Sequence, residues 1–179
     1  MFSKEYNKEL CMKYPFLIPR NRWSGKRITD GAGFWPGNPE AVPEYDWDHT
    51  ELDQMPDGWR KAFGEQLCAE LKTELDRVGA TETYMITQIK EKYGMLRWYD
   101  NGNTKEGYRI IGKYVAISKR TCICCGEPAT VIATGWISPF CDKCIPEYGG
   151  VKERTIPIDE YYGEMEDEDS IETENEMGG

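Results

Sequence analysis

The sequence predicts an α+β protein: a short antiparallel sheet with two helices and a C-terminal four-cysteine zinc ribbon, plus a disordered acidic tail. Three observations carry this. Apolar residues recur every four positions from Trp59 to Leu75, a helical stripe. The β-rich stretch "TYMITQIKEKYGMLRWYDNGN" is interrupted by Lys92, Tyr93 and Gly94, as a hairpin would be. Two Cys-x2-Cys pairs then follow, 15 residues apart, in the spacing of a zinc site. The chain divides into a proline- and aromatic-rich wrapping segment (1–56), a helix-hairpin-helix core (57–120), a zinc-ribbon lobe (121–158) and an acidic tail (159–179).

A length of 179 residues suits one domain, and 39 % apolar with 12 % aromatic residues can supply its core. No apolar run approaches the ~18–20 residues of a membrane span, and the charged start "MFSKEYNKELCMKYPF" does not read as a secretory signal. The expected location is the cytoplasm, where thiols stay reduced, which favours metal binding over disulfides. Of the 32 acids, ten lie after Ile158 and no Lys or Arg does, so residues 1–158 hold 22 of each sign. The net charge of −10 thus belongs to the tail.

Taking the elements in order, residues 1–56 hold six of the ten prolines, a spacing that excludes long helices. Tyr14, Phe16, Trp23, Phe34, Trp35, Tyr45 and Trp47 are expected to dock this irregular wrap onto the core. Next comes an amphipathic helix over residues 57–78. Asp57 is its expected N-cap and Gly79 its stop. Trp59, Phe63, Leu67, Leu71 and Leu75 form its buried stripe, with Ala62 and Val78 beside them. Arg60, Lys61, Glu65, Glu70, Lys72 and Arg77 fall on the flanks and back. Glu82–Lys90 and Met95–Tyr99 are the hairpin strands, with Leu96 and Trp98 on one face and Met95, Arg97 and Tyr99 on the other. A second helix over "TKEGYRIIGKYVAISKRT" would bury Ile110, Ile111, Tyr114 and Ile117.

The strongest signal is "TCICCGEPATVIATGWISPFCDKC", with five of the seven cysteines. Two residues between cysteines let a tight turn aim both sulfurs at one point, and two such turns complete a tetrahedron around one Zn²⁺. The ligands are Cys122, Cys125, Cys141 and Cys144. Cys124 is excluded because only Cys122 and Cys125 give the x2 spacing. Gly126 follows the first pair, where a knuckle needs positive φ. A site closed by four sulfurs has no open position, so the zinc is structural. Trp136, Ile137 and Phe140 are expected to pack this lobe onto the second helix.

Catalytic motifs are absent: there is no GxSxG, Walker loop or HExxH. The single histidine, His49, sits among Asp46, Asp48, Glu51 and Asp53 and reads as a loop residue near acids. An enzyme is not expected. Two stretches read as recognition surfaces. In the hairpin, Lys90, Lys92 and Arg97 interleave with Tyr93, Trp98 and Tyr99, a mixture able to meet phosphates and stack on bases; Glu91 and Asp100 dilute its charge. In the tail, eight acids, beginning with Glu164, Glu166, Asp167, Glu168 and Asp169, fall between Glu164 and Glu176. Such a polyanion can compete for a basic groove on a partner.

"QIKEKYGMLRWYDNG", followed by "TCICCGEPA" and "GWISPFCDKC", resembles a group of small zinc-ribbon proteins of bacterial and phage genomes over roughly residues 55–145. The resemblance implies a zinc fold. The small, acidic character of the chain is also similar in style to anti-CRISPR proteins. The function implied is a non-enzymatic phage or mobile-element protein that binds and inhibits a nucleic-acid-handling partner, a CRISPR nuclease foremost. The alternative is a zinc-ribbon module that itself binds DNA or RNA as a regulator.

Overall fold

The computed structural model of the chain describes residues 3–21, 23–30, 45–146 and 150–163. It is an α+β fold with two small antiparallel sheets, one formed by the hairpin and one belonging to the cysteine lobe. Phe34, Trp35 and residues 164–179 lie outside the described residues.

The first element corrects the expectation that residues 1–56 hold no substantial helix. Helix α1 spans Lys4–Lys13, and its N-cap Ser3 accepts a hydrogen bond from the Tyr6 amide. Its buried face is Asn7, Leu10 and Cys11. One of those three is polar, so no apolar period betrays the helix in the sequence. The prolines act only afterwards, starting a 3-10 turn at Pro15–Leu17. Tyr14 and Phe16 are buried as expected, with Phe16 edge-on to Tyr84 at 5.5 Å, and Trp47 packs against the core. Trp23 is 64 % exposed, against the expectation of an anchor.

The long helix is one rod in three pieces: α2 (Asp57–Trp59), a π-helical turn (Arg60–Gly64) and α3 (Glu65–Arg77). Its apolar residues repeat every four positions, and such a stripe drifts by ~40° per step around a 3.6-residue helix. The wider π turn takes up part of that drift, so Trp59, Phe63, Leu67, Leu71 and Leu75 are all buried. The same turn carries Arg60 inward, against expectation: its side chain is 3 % exposed and paired with Asp53, and it donates to Asn7 Oδ1 at 3.1 Å. Asp57 is the first helical residue, with Pro56 at the cap position. Gly79 follows the helix with φ +69°. Val78 and Ala62 are exposed instead of flanking the stripe.

Strands β1 (Met85–Lys92) and β2 (Met95–Asn101) form the expected hairpin. Tyr93 and Gly94, both at positive φ (55° and 74°), make the two-residue turn whose twist matches the strands. Leu96 and Trp98 face the core. Ile86 and Ile89 both face it too, although three apart, because a register shift between Ile86 and Gln88 resets the alternation. Side chains close both edges of this sheet: Ser118 Oγ accepts from the Leu96 amide at 2.9 Å, and Gln54 Oε1 from the Ile89 amide at 3.3 Å. Helix α4 (Lys105–Lys119) is N-capped by Thr104, which accepts from the Gly107 amide. It buries Ile111 and Tyr114; Ile110 is half-buried, and Ile117 is exposed because Ser118 takes the inward position.

Strands β3 (Val131–Ala133), β4 (Ser138–Phe140) and β5 (Thr155–Pro157) make the second sheet, in the order β4-β3-β5. The chain from 158 continues as helix through 163. This moves the proposed start of the tail. Ile158 and Tyr162 are buried with Ala129 and Ile132, Asp159 pairs with Arg120, and the Lys119 ammonium lies 5.3 Å from the Tyr162 ring centroid. Residues 159–163 are thus part of the lobe. No described helix is long and apolar enough to cross a membrane.

Candidate metal centre and interaction surface

The Sγ atoms of Cys122, Cys125, Cys141 and Cys144 all lie within 4.8 Å of one another. A tetrahedron of ~2.3 Å zinc–sulfur bonds has edges of ~3.8 Å, and the Cys125 and Cys141 sulfurs are 3.6 Å apart. The donor set therefore fits a metal of the zinc type. Each pair is shaped by a backbone turn: the Gly126 amide donates to the Cys122 carbonyl at 3.0 Å, and the Cys144 amide to the Cys141 carbonyl at 2.9 Å. Gly126 has φ +85°, the left-handed conformation the sequence calls for. Cys124 is exposed and outside the cluster.

The thiols are poised against one another. Burial pushes Cys122 up, but backbone N–H groups of Cys141, Cys125 and Cys124 outweigh it and bring the thiol down to about 7. Cys144 is raised, first by its hydrogen bond with Cys125 and then by burial. Cys141 is raised by burial and by Cys125. Four thiolates this close require a cation between them.

The first knuckle is seated on the long helix by close backbone contact. The Gly58 amide donates to the Ile123 carbonyl at 3.0 Å, and Trp59 Nε1 to the Thr121 carbonyl at 2.8 Å. A Cβ on Gly58 would stand 2.3 Å from the Cys122 carbonyl oxygen, and one on Gly126 2.6 Å from the Gly58 carbonyl oxygen. Both glycines are needed for this approach. Between the knuckles, of the residues expected to pack the lobe, Phe140 is buried and Trp136 is not. Trp136 is 78 % exposed at the tip of the β3–β4 turn. Ile137 reaches the hairpin turn, with its Cγ2 3.1 Å from where a Cβ on Gly94 would sit.

The hairpin residues separate by face. Trp98 is turned inward and donates from Nε1 to the Tyr84 hydroxyl at 2.8 Å, so it is no surface contact. Lys90 pairs across the strands with Arg97, Lys92 with Met95, and Gln88 with Tyr99, on the outer face. The two acids that dilute this stretch in the sequence are engaged elsewhere. Glu91 accepts from the Gly94 amide at 2.7 Å. Asp100 accepts from the Tyr84 hydroxyl at 2.6 Å and from Asn103 Nδ2 at 2.8 Å. Lys90 lies over the Tyr99 ring and Lys92 over the Tyr93 ring, at 5.3 and 5.1 Å. Among the described residues, neither these lysines nor Arg97 forms an ion pair. Tyr93 and Tyr99 are 60 % and 44 % exposed.

His49 shares a hydrogen bond with Asp48 at 2.7 Å through Nδ1 and lies edge-on to Tyr45. Cys11 and Cys68 are buried in the core, and burial pushes both thiols up, Cys11 to about 12. Sequence reasoning missed Trp136 and Arg154 as surface residues. The signal for Trp136 was present in Thr134-Gly135-Trp136, a turn sequence between the two cysteine pairs. Compared with known protein families, curated proteins and solved structures, the chain finds no match.

Proposed function

We propose that this chain is a non-enzymatic binding module, held in shape by one structural Zn²⁺, whose hairpin presents a basic and aromatic face to nucleic acid. The observation carrying this reading is the sorting of charge across the hairpin. Lys90, Lys92 and Arg97 stand outward beside Tyr93 and Tyr99, while Glu91 and Asp100 are spent on bonds within the fold. Cations that form no ion pair among the described residues are available to displace counterions from phosphates. The four-sulfur site supports a structural metal, because it leaves no coordination position for water or substrate. This favours the regulator-type reading over the inhibitor reading.

The inhibitor reading is supported by one feature of the sequence, the acidic run from Glu164 to Glu176. There the chain would occupy the basic groove of a nuclease of the CRISPR type and bind no nucleic acid itself. Titration of the full-length protein and of a chain lacking residues 164–179 separates the two. The probes are a labelled duplex and a labelled single strand at ~50 and ~200 mM salt. Three phosphate contacts cost a duplex about 40-fold over that range. We expect salt-sensitive binding that strengthens when the acidic run is removed and is abolished by Lys90→Ala, Lys92→Ala and Arg97→Ala together. Absence of binding by either chain would overturn the nucleic-acid reading and leave the inhibitor.

A further inference from the structure

We infer that the ligand is single-stranded nucleic acid, and that it is gripped at the junction of the two sheets by a base stacked on Trp136. This rests on the nucleic-acid reading above and narrows it. Tryptophan is highly buried on average, yet Trp136 is 78 % exposed. It stands between two clefts. One, of about 390 Å³, is lined by Lys90, Lys92, Tyr93 and Trp136, with Ile137 among its walls. The other, of about 230 Å³, is lined by Trp136, Phe140, Pro146, Val151 and Arg154. The indole is therefore flanked by two lysines and a second aromatic on one side and by an arginine on the other.

These positions are built, not incidental to two flexible loops. The hairpin tip and the β3–β4 turn interlock where Ile137 meets Gly94 at 3.1 Å from a would-be Cβ, and that contact sets Trp136 beside Tyr93. On the far side, the Arg154 guanidinium lies against Gly135, with Nη1 3.0 Å from where a Cβ would be, and Nε donates to the Gly150 carbonyl at 3.0 Å. A side chain on Gly135 would displace the arginine from this position. The one acid lining the larger cleft, Glu91, has an oxygen committed to the Gly94 amide.

The chemistry selects a single strand. Bases in a duplex are stacked on one another and offer only their edges in the grooves, so an upright indole on a convex tip finds no base face there. An unstacked strand offers a face at each nucleotide, and stacking on an aromatic side chain is tolerant of sequence. The lysines beside Tyr93 would then meet the phosphates next to the stacked base. Because Trp136 lies between Cys125 and Cys141 in sequence, the metal centre acts here as a positioning device for the stacking residue.

The test uses full-length, zinc-loaded protein with fluorescein-labelled oligothymidylate and oligouridylate of about a dozen nucleotides, and a duplex of equal length. We expect tighter binding to the single strands than to the duplex. Trp136→Ala should weaken single-strand binding about 5- to 150-fold and leave duplex binding within about twofold. Trp136→Phe should restore most of the loss. A preference between the two oligonucleotides distinguishes DNA from RNA as the strand recognised. Metal content and melting temperature of the variants should match the parent, since the indole is exposed. Binding to single strands that is unaffected by Trp136→Ala, or a parent that prefers duplex, would overturn this inference while leaving the nucleic-acid reading intact. Failure of both the parent and the chain lacking residues 164–179 to bind any of the three probes would overturn both.

Discussion

The helical core and the cysteine lobe meet at Gly58 but are held by different means. In the core, α1, the long helix, α4, the inner face of the hairpin and the segments that join them gather 21 buried apolar side chains into one cluster among the described residues. In the lobe, the corresponding cluster is Ala129, Ile132, Ile158 and Tyr162. Even with buried Ala133 and Phe140 and half-buried Ile137 and Tyr161 added, this is a small apolar area, at ~25 cal/mol per Å², to order three short strands, two knuckles and a helical turn. A metal ion held by the four cysteines would make up the difference, as in other domains too small for a core of their own. The contrast also divides the labour: the apolar region holds the basic hairpin rigid, and the metal region carries Trp136 to its side.

The largest effect expected from this comparison is at the metal. Cys122→Ser, Cys125→Ser, Cys141→Ser or Cys144→Ser should each release the ion and unfold the lobe, read by elemental analysis and by loss of amide protection over residues 121–158. Cys124→Ser should retain one Zn²⁺ per chain. If Cys124→Ser loses metal while Cys122→Ser keeps it, the ligand set is wrong; if all variants keep the lobe folded after chelation, the division of forces is wrong.

A smaller effect, about 2–5 kcal/mol of stability, is expected from Leu71→Ala, which opens a cavity at a fully buried position. Zinc content should not change. Gly58→Ala sharpens the comparison because it strikes the contact between the regions. Its Cβ would fall 2.3 Å from a backbone oxygen that cannot give way cheaply. A cost of about 1–3 kcal/mol should come with weaker zinc retention against a competing chelator. Equal zinc retention by the two variants would mean the regions are not coupled through this seat.

The smallest effect concerns Glu74, whose side chain is 6 % exposed and salt-bridged to Arg77. Hydrogen bonds from Arg77 and then Thr104 lower its carboxyl to about 2, against ~4.3 in an unfolded chain. A carboxyl depressed in the folded state stabilises it above the unfolded value. That contribution is lost as pH falls from ~5 through about 2. The melting temperature of Glu74→Gln should therefore fall less steeply than the parent's across that window. Parallel pH curves for the two proteins would remove Glu74 from the acid response.

Much of this was legible without coordinates because the signals are local. The x2 spacing of the cysteines is a property of one turn at a time, and so are the positive φ at Gly126 and the Tyr93-Gly94 turn. The stripe from Trp59 to Leu75 repeats along a single element. Helix α1 was hidden because part of its buried face is Asn7, made tolerable by a hydrogen bond from its Nδ2 to the Trp47 carbonyl, 40 residues away. Arg60 was misplaced for the same reason: Asp53 and Asn7, brought in from other segments, help make its burial favourable. The sequence by itself determined an α+β chain with a four-thiol site and an acidic end. Tertiary structure decided which charges face outward: a hairpin's inner side is whichever face its neighbours cover, and pairing of Glu91 and Asp100 within the fold depends on contacts no period encodes. It also decided the exposure of Trp136, because β3–β4 packs its turn against Gly94 through Ile137 and leaves the adjacent indole to solvent.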